Sequence, residues 1–179
     1  MSTRAASRYA KAVYAGAKES ATEELVYGDM KSIAETLSGS KELRNVLDSP
    51  QIKSEDKRSS LHAIFSGVSE LTTSLLDIIV DNSRAGLLEK VAIAYVQIYN
   101  EDHGIVTATV TTAVEMDAAM EEKIMAKIKE ITGSEKVILE HKIDSDILGG
   151  FILRVGDMQY DASISNQLER IHKEFSKRI

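Results

Sequence analysis

The stretch VILEHKIDSDILGGFILRVGDMQYDASISNQL, residues 137–168, contains two apolar runs that are separated by the pair Gly149-Gly150. The second run, Phe151–Val155, is followed by Met158–Tyr160, with only Gly156-Asp157 between them. Glycine in first place suits a type II′ turn, so we expect a β-hairpin here. The double glycine has neither the Lys-Ser/Thr of a phosphate loop nor the three-glycine spacing of a dinucleotide site, and it predicts a bend or bulge where a strand starts.

The neighbouring segments complete a small domain around this hairpin. Upstream, Ile105–Val114 alternates with a period of two and is rich in β-branched residues, which predicts a strand. Asp117 is placed to cap a helix that ends at Gly133, and Val137–Lys142 alternates again as a second strand. Beyond the hairpin a final helix is expected to place four apolar residues on one face: Ile164, Leu168, Ile171 and Phe175.

The first 104 residues follow a helical period instead and contain the only proline of the chain, Pro50. We expect six helices with short connections, which predicts a compact antiparallel bundle. The first helix is expected at Thr3–Lys18, and the second is expected to end at Gly39 and the third at Asp48-Ser49-Pro50. Ser54 and Ser69 are the expected N-caps of the fourth and fifth helices, and the sixth is expected to end near Gly104. The predicted fold is therefore α+β and mainly helical, with a six-helix bundle at residues 1–104 and a small α/β domain at residues 105–179.

Composition excludes several classes of function. The net charge is -6, and residues 1–104 carry 12 basic and 15 acidic side chains against 10 and 13 in the remainder, so that each part is at -3. Since no part is basic, nucleic-acid binding is disfavoured. The chain has no cysteine, which removes disulfides and thiolate chemistry. No apolar run approaches the roughly 20 residues that span a bilayer.

Candidate reactive residues are equally sparse. No two of the four histidines have metal-ligand spacing, and Asp144-Ser145-Asp146 begins like a calcium loop but meets Val155 where the bidentate glutamate is required. Adjacent acids such as Glu23-Glu24 diverge on a helix. We therefore predict no catalytic residue, no metal site and no cofactor.

Two helices are more apolar than a surface helix needs to be. The first has apolar residues around almost its whole circumference, and the fifth places Leu71, Leu75, Leu76, Ile78, Ile79 and Val80 on more than one stripe. Either both helices are central and buried, or each has a second apolar face and the two line a groove for an amphipathic helix of a partner. The pattern alone leaves both readings open.

Several motifs occur in the order of a known family. Arg8–Ala12 lies in the first helix, Leu47–Pro50 in the middle of the helical part, and Asp81–Arg84 between the fifth and sixth helices. The most specific motif is Ile143–Asp157, and it is followed by Asp161–Ile164 and Gln167-Leu168. Together they resemble the delta subunit of bacterial F-type ATP synthase, the counterpart of mitochondrial OSCP, over almost the entire chain. One departure is Ala85-Gly86 after Arg84, where the family has leucine, and it leaves the start of the sixth helix open.

The resemblance implies a non-catalytic stator subunit of the peripheral stalk. In that family the helical domain sits on the F1 head and binds the N-terminal helix of an alpha subunit between helices one and five, while the C-terminal domain binds the C-terminal region of the b subunit. The protein would thereby hold the head against rotor torque during proton-driven ATP synthesis. A peripheral position on the cytoplasmic face of a bacterial inner membrane follows, without a membrane span. Since the first motif begins within eight residues of Met1, no presequence is expected.

By position, the resemblance assigns candidate partner contacts. Those for the alpha subunit are Tyr9, Ala10, Val13, Ser74 and Ile78, and those for the b subunit are Gly149, Gly150 and Phe151. The alternatives are a small enzyme with a helical substrate domain, which would need convergent titratable groups that the sequence does not supply, and a helical adaptor unrelated to ATP synthase.

Overall fold

A computed structural model describes residues 2–114, 116–134, 136–144, 147–156, 158–166, 168 and 169. The chain divides into two compact units, Met1–Asp102 and His103–Ile179. The first unit is helical and the second contains a small sheet. The fold is thus mainly helical with a four-stranded mixed sheet.

Within the described residues, the first unit contains six α-helices and one 3₁₀ turn. The helices are α1 (Ser2–Glu19), α2 (Glu23–Gly39), α3 (Lys41–Asp48), α4 (Ser54–Ile64), α5 (Glu70–Asp81) and α6 (Leu88–Asp102), and the 3₁₀ turn is Ala85–Leu87. The α1 and α2 helices both pack on α6, and α5 packs on α4 and α1.

The α2 helix shows why the pattern predicts these elements well. Val26, Met30, Ile33 and Leu37 recur at spacings of 4, 3 and 4, and all four are buried. Large buried side chains of the other helices, such as Leu76 and Tyr95, complete the interior of this unit. The burial of such side chains is the main favourable contribution to folding.

Two expectations about α4 are wrong. Ser54 is the first helical residue and not the N-cap; Lys53 occupies that position and makes no side-chain cap. The sequence also predicts that Leu61, Ile64, Phe65 and Val68 form one face of this helix, but Phe65 is already the C-cap and Val68 lies beyond it. Of this predicted face, Leu61 is buried and Ile64 is 47% exposed. By contrast Ser69 caps α5 as predicted, with its hydroxyl accepting from Thr72 N at 3.3 Å.

The start of the sixth helix, left open by Ala85-Gly86, is a 3₁₀ turn that the sequence analysis did not anticipate. Ala85–Leu87 form this turn, and α6 begins at Leu88. Gly86 lies against Asp48 at the end of α3, and a Cβ at this position would displace the Asp48 carboxylate. The 3₁₀ turn packs against α3.

The second unit contains β1 (Val106–Thr112), α7 (Ala118–Thr132), β2 (Val137–Ile143), β3 (Phe151–Val155) and β4 (Met158–Asp161). The strand order is β2-β1-β3-β4, with β1 parallel to β2 and antiparallel to β3, and β3 antiparallel to β4. The β1–α7–β2 segment is a crossover unit, as a parallel pair requires.

The core of this unit lies between the sheet and α7. Ala108 and Val110 of β1 and Ile124 and Ile128 of α7 are fully buried, together with Leu153 of β3. Asp117 caps α7 as predicted, since its Oδ1 accepts from Met120 N at 2.7 Å, and Gly133 ends the helix in the left-handed conformation. The strand is shorter than predicted, because Val114, which the alternation puts on the same side as Ala108 and Val110, lies beyond β1 and is 70% exposed.

The hairpin forms where it is predicted. Gly156 has a φ of +55°, which only glycine adopts freely, while Asp157 lies outside the described residues. Of the final helix, Ile164–Asn166, Leu168 and Glu169 are helical, and the predicted positions Ile171 and Phe175 lie outside the described residues. None of the described helices is both long and apolar enough to cross a membrane.

Candidate docking surfaces

The α1 and α5 helices lie side by side and run in opposite directions. At one end, a Cβ on Gly16 would lie 3.7 Å from Leu71 Cδ1, so the side chain of Leu71 reaches towards the backbone of α1 at this glycine. At the other end, Asn82 Nδ2 donates to the hydroxyl of Tyr9 at 3.1 Å, and Arg84 donates to the same oxygen at 3.4 Å. The surface between these two ends is called the α1–α5 groove below.

The five predicted contact residues differ in their exposure. Ser74 is exposed, Ile78 is 50% exposed, and Tyr9 is half-buried. Ala10 is fully buried and Val13 is only 8% exposed, so neither side chain is open to a partner on the surface. On α5, Leu75, Leu76, Ile79 and Val80 are buried and Ile78 faces solvent, so most of its apolar residues belong to the core.

Sequence reasoning missed other residues of the groove. Ala12 and Gly16 follow Tyr9 at spacings of 3 and 4, which places them on one stripe of α1, and each is at least partly exposed. Leu71 faces Gly16 from α5. Small residues at helical spacing were visible in the sequence, but their pattern does not reveal which neighbouring helix they meet.

The double glycine of the second unit has a structural task. Gly150 has a φ of +79°, and a Cβ there would lie 2.3 Å from the carbonyl oxygen of Ala162. Gly149 accepts a hydrogen bond from Ile164 N at 3.0 Å, and Phe151 accepts one from Ala162 N at 2.9 Å. The glycines therefore join the start of β3 to the segment after β4. Phe151 packs against the core of the unit. Gly149 and Gly150 are partly exposed, so the glycine pair lies at the surface.

Exposed apolar side chains surround this junction. Leu148 is 76% exposed, Ile164 45% and Leu168 58%. Ile164 is predicted to share one helical face with Leu168, and its Cδ1 covers Gly149, since a Cβ on that glycine would lie 2.7 Å from it. We call Leu148, Ile164 and Leu168 the C-terminal apolar patch.

The titratable groups form structural pairs. Arg58 and His62 of α4 contact Asp77 of α5, with His62 Nε2 2.8 Å from Asp77 Oδ1, and Arg58 also pairs with Asp81. His141 Nε2 lies 2.6 Å from the hydroxyl of Thr112. In the described part of the chain no three His, Cys, Asp or Glu residues are grouped so that they could hold a metal ion.

Comparison with known proteins gives concordant results. The family model for the "ATP synthase delta (OSCP) subunit" matches residues 5–175. The protein named ATP synthase subunit delta of Christiangramia forsetii is 47% identical over 172 residues, covering 96% of this chain and 93% of the relative. That of Flavobacterium johnsoniae is 40% identical, and the alignment covers 98% of each chain. In fold, the chain resembles one from the mitochondrial ATP synthase hexamer of Toxoplasma gondii, with a TM-score of 0.73 at 24% identity over 95% of this chain and 96% of that one.

Proposed function

The chain belongs to the ATP synthase delta (OSCP) subunit family, and we propose that it is the stator subunit which links the catalytic head of an F-type ATP synthase to the peripheral stalk. It is a structural subunit and carries out no chemistry of its own. The observation that carries this proposal is the family match over residues 5–175, which includes both units. A helical adaptor unrelated to ATP synthase is not supported, because the same match and the relatives cover nearly the whole chain.

The head-binding role is assigned to the helical unit. We propose that residues 1–104 act as a six-helix bundle on the F1 head and that the N-terminal helix of an alpha subunit lies in the α1–α5 groove. Tyr9, Ser74 and Ile78 would touch it, with Ala10 and Val13 behind them. The half-exposed Ile78 on α5 and the partly exposed Ala12 and Gly16 on α1 favour this use, since an apolar anchor and small residues let a partner helix approach closely.

The stalk-binding role is assigned to the second unit, residues 105–179. The C-terminal region of the b subunit would contact the surface around Gly149, Gly150 and Phe151. Exposure of the C-terminal apolar patch beside these glycines supports this assignment, because clustered exposed apolar side chains mark interaction surfaces.

The mechanical consequence follows from the two attachments. While the rotor turns inside the head, torque would rotate the head itself unless it is tied to the membrane through the stalk. A subunit that binds the head with one unit and the stalk with the other resists this rotation, so that rotor torque becomes conformational change at the catalytic sites. In a bacterial cell this places the protein peripherally on the cytoplasmic face of the inner membrane.

Two measurements test this function. The tagged chain should recover alpha and b subunits from detergent-solubilised membranes of its own organism. The second is calorimetric titration with a synthetic peptide of the first roughly 20 residues of the alpha subunit, since a helix of about 30 Å contains about 20 residues. The titration should show one-to-one binding. Recovery of neither subunit, together with no heat of binding, would contradict the proposal.

A further inference from the structure

Three polar side chains close the α1–α5 groove at the end where α5 stops. Asn82 and Arg84 both donate to the hydroxyl oxygen of Tyr9, over 3.1 Å and 3.4 Å. Asn82 and Arg84 are exposed and Tyr9 is half-buried, so all three are accessible at the surface of the helical unit. Tyr9, Asn82 and Arg84 are called the donor site below.

The turn that contains Asn82 and Arg84 has a strained backbone. Asn82 is the C-cap of α5, and Arg84 N donates to Ile79 O at 2.8 Å. Between them Ser83 has a φ of +54°, a left-handed conformation that is uncommon for a residue with a side chain. The left-handed residue ends the helix, and the side chains before and after it reach the same phenol oxygen. Strain of this kind is common at binding sites, where the surrounding contacts maintain it.

The donor site has hydrogen-bond donors that the described residues do not use. Because the phenol oxygen of Tyr9 accepts two N–H groups, its own hydrogen is directed away from both, and it donates to no residue that the structure describes. Arg84 forms no ion pair in the described part of the chain. Asp81, the preceding acid, pairs with Arg58 of α4 instead, and Arg8 is exposed next to Tyr9 on α1. The site therefore presents a hydroxyl donor and a positive charge to a group that lies over this end of the groove.

We propose that the donor site binds one carboxylate side chain of the helix that occupies the groove. The Tyr9 hydroxyl and the Arg84 guanidinium donate to its oxygens, while Asn82 is a positioning residue that holds the phenol oxygen. A carboxylate matches these donors, because it accepts several hydrogen bonds and has the charge opposite to that of a guanidinium. This inference rests on the proposed function, which supplies the alpha-subunit helix as the occupant, and it adds a polar contact that selects that helix.

The position of the carboxylate on the occupant follows from the residues that line the groove. On α5, Asn82 follows the exposed Ile78 by about one helical turn, and on α1, Tyr9 precedes Ala12 by about one turn. A helix that lies along the groove with an apolar residue over Ile78 therefore reaches the donor site about one turn further along. We expect the carboxylate about three or four residues from that apolar residue, in whichever direction the occupant runs.

The test is a set of double-mutant cycles between the 179-residue chain and the alpha N-terminal peptide. Each aspartate or glutamate of the amidated peptide is replaced in turn with asparagine or glutamine. Every peptide is then titrated calorimetrically against the wild type and against the double variant Tyr9→Phe, Arg84→Gln. Neutralising one acidic position should weaken binding to the wild type about 3- to 20-fold and binding to the double variant less than about twofold.

Two matched controls and a milder variant accompany the cycles. Lys41→Gln on α3 and Tyr160→Phe in the second unit change exposed side chains of the same kinds outside the groove, and the acidic position should keep its full effect in both. Tyr9→Phe alone removes a single oxygen atom and should reduce that effect without abolishing it, which gives a second cycle if the double variant does not fold.

The outcomes separate the inference from the function on which it rests. If the donor site only ties α5 to α1, its loss weakens every peptide by the same factor. Such uniform weakening, or equal coupling of several acidic positions, overturns the carboxylate contact and leaves the proposed function standing. Tight binding of an alpha N-terminal peptide that contains no acidic residue has the same meaning. A peptide that does not bind the wild type overturns the groove assignment, and the inference with it.

Discussion

Tyr14 on α1 donates a hydrogen bond from its hydroxyl to the carboxylate of Asp102, the last residue of α6, over 2.7 Å. Lys18 Nζ lies 2.8 Å from the same carboxylate oxygen, and the ring of Tyr14 packs edge-on against Tyr95 at 5.6 Å between centroids. These contacts join the two helices across the buried side of α1, opposite to the groove. They hold α1 in place against α6.

The first prediction concerns the alkaline limit of stability. Burial, followed by the hydrogen bond to Asp102, raises the pKa of Tyr14 from 10.0 to about 12. The unfolded chain therefore loses this proton at lower pH than the folded one, so the stabilisation is complete below pH 10 and is lost as the pH rises towards 12. The melting temperature should fall over this interval, and more steeply in the wild type than in Tyr14→Phe. Parallel curves for the two proteins would contradict this.

The second prediction concerns the anchoring of α5. Asp29 on α2 accepts hydrogen bonds from Ser69 N and from the hydroxyl of Thr72, both at 2.8 Å, and Thr72 is fully buried. Asp29→Ala leaves both donors without this acceptor, and we expect a loss of about 2–3 kcal/mol in the free energy of unfolding. Asp29→Asn keeps one acceptor oxygen and should lose less. Chemical denaturation of the wild type, Asp29→Ala and Asp29→Asn measures the three free energies of unfolding.

The third prediction separates steric from conformational requirements for glycine. Gly150→Ala places a Cβ 2.3 Å from a backbone oxygen, at a φ of +79°, whereas Gly133 has a φ of +67° with no atom within 4 Å of its Cβ position. We expect Gly133→Ala to lower the free energy of unfolding by about 1 kcal/mol and Gly150→Ala by about 3 kcal/mol or more. Hydrogen exchange at β1 and β3 would locate the loss in the second unit. Equal effects of the two changes would show that the close approach is unimportant.

The elements that sequence predicts best are those whose signals are local. Asp117 and Gly133 mark the two ends of α7, and the four apolar residues of α2 have a regular spacing, so each signal lies within the element that it defines. The predicted end of α4 is wrong because Phe65 and Val68 continue its apolar spacing beyond the point where the chain leaves the helix. Their spacing alone does not reveal this departure.

The docking surfaces depend on contacts between distant parts of the chain. That Ile78 faces solvent while Ile79 is buried follows from which sides of α5 are covered by other helices. In the same way, Gly150 is needed because Ala162 approaches it, a contact that spans two strands and a turn. The apolar character of α5 is visible in its sequence, but the division of that character between core and groove is a tertiary property.

The fourth prediction tests the floor of the groove. Ile78 is 50% exposed on α5 and Ile93 is 44% exposed on α6, so Ile93→Asp is a matched control for Ile78→Asp. A charge buried beneath a bound helix is costly, and we expect Ile78→Asp to weaken binding of the alpha N-terminal peptide by about 10- to 100-fold. Ile93→Asp should leave the affinity unchanged. Calorimetric titration provides the comparison, and equal affinities of both variants would contradict the groove assignment.

The fifth prediction tests the C-terminal apolar patch. Leu168 is 58% exposed beside the glycine junction, and Met158 is 54% exposed at the other end of the β3–β4 hairpin. Because both side chains are already largely in water, replacing either with aspartate should change the free energy of unfolding by only about 0.5 kcal/mol. If the patch binds the C-terminal region of the b subunit, Leu168→Asp should weaken that binding about tenfold or more, whereas Met158→Asp should not. Titration of each variant with a soluble b-subunit fragment measures this. A loss with Met158→Asp alone would move the stalk contact to the opposite end of the hairpin.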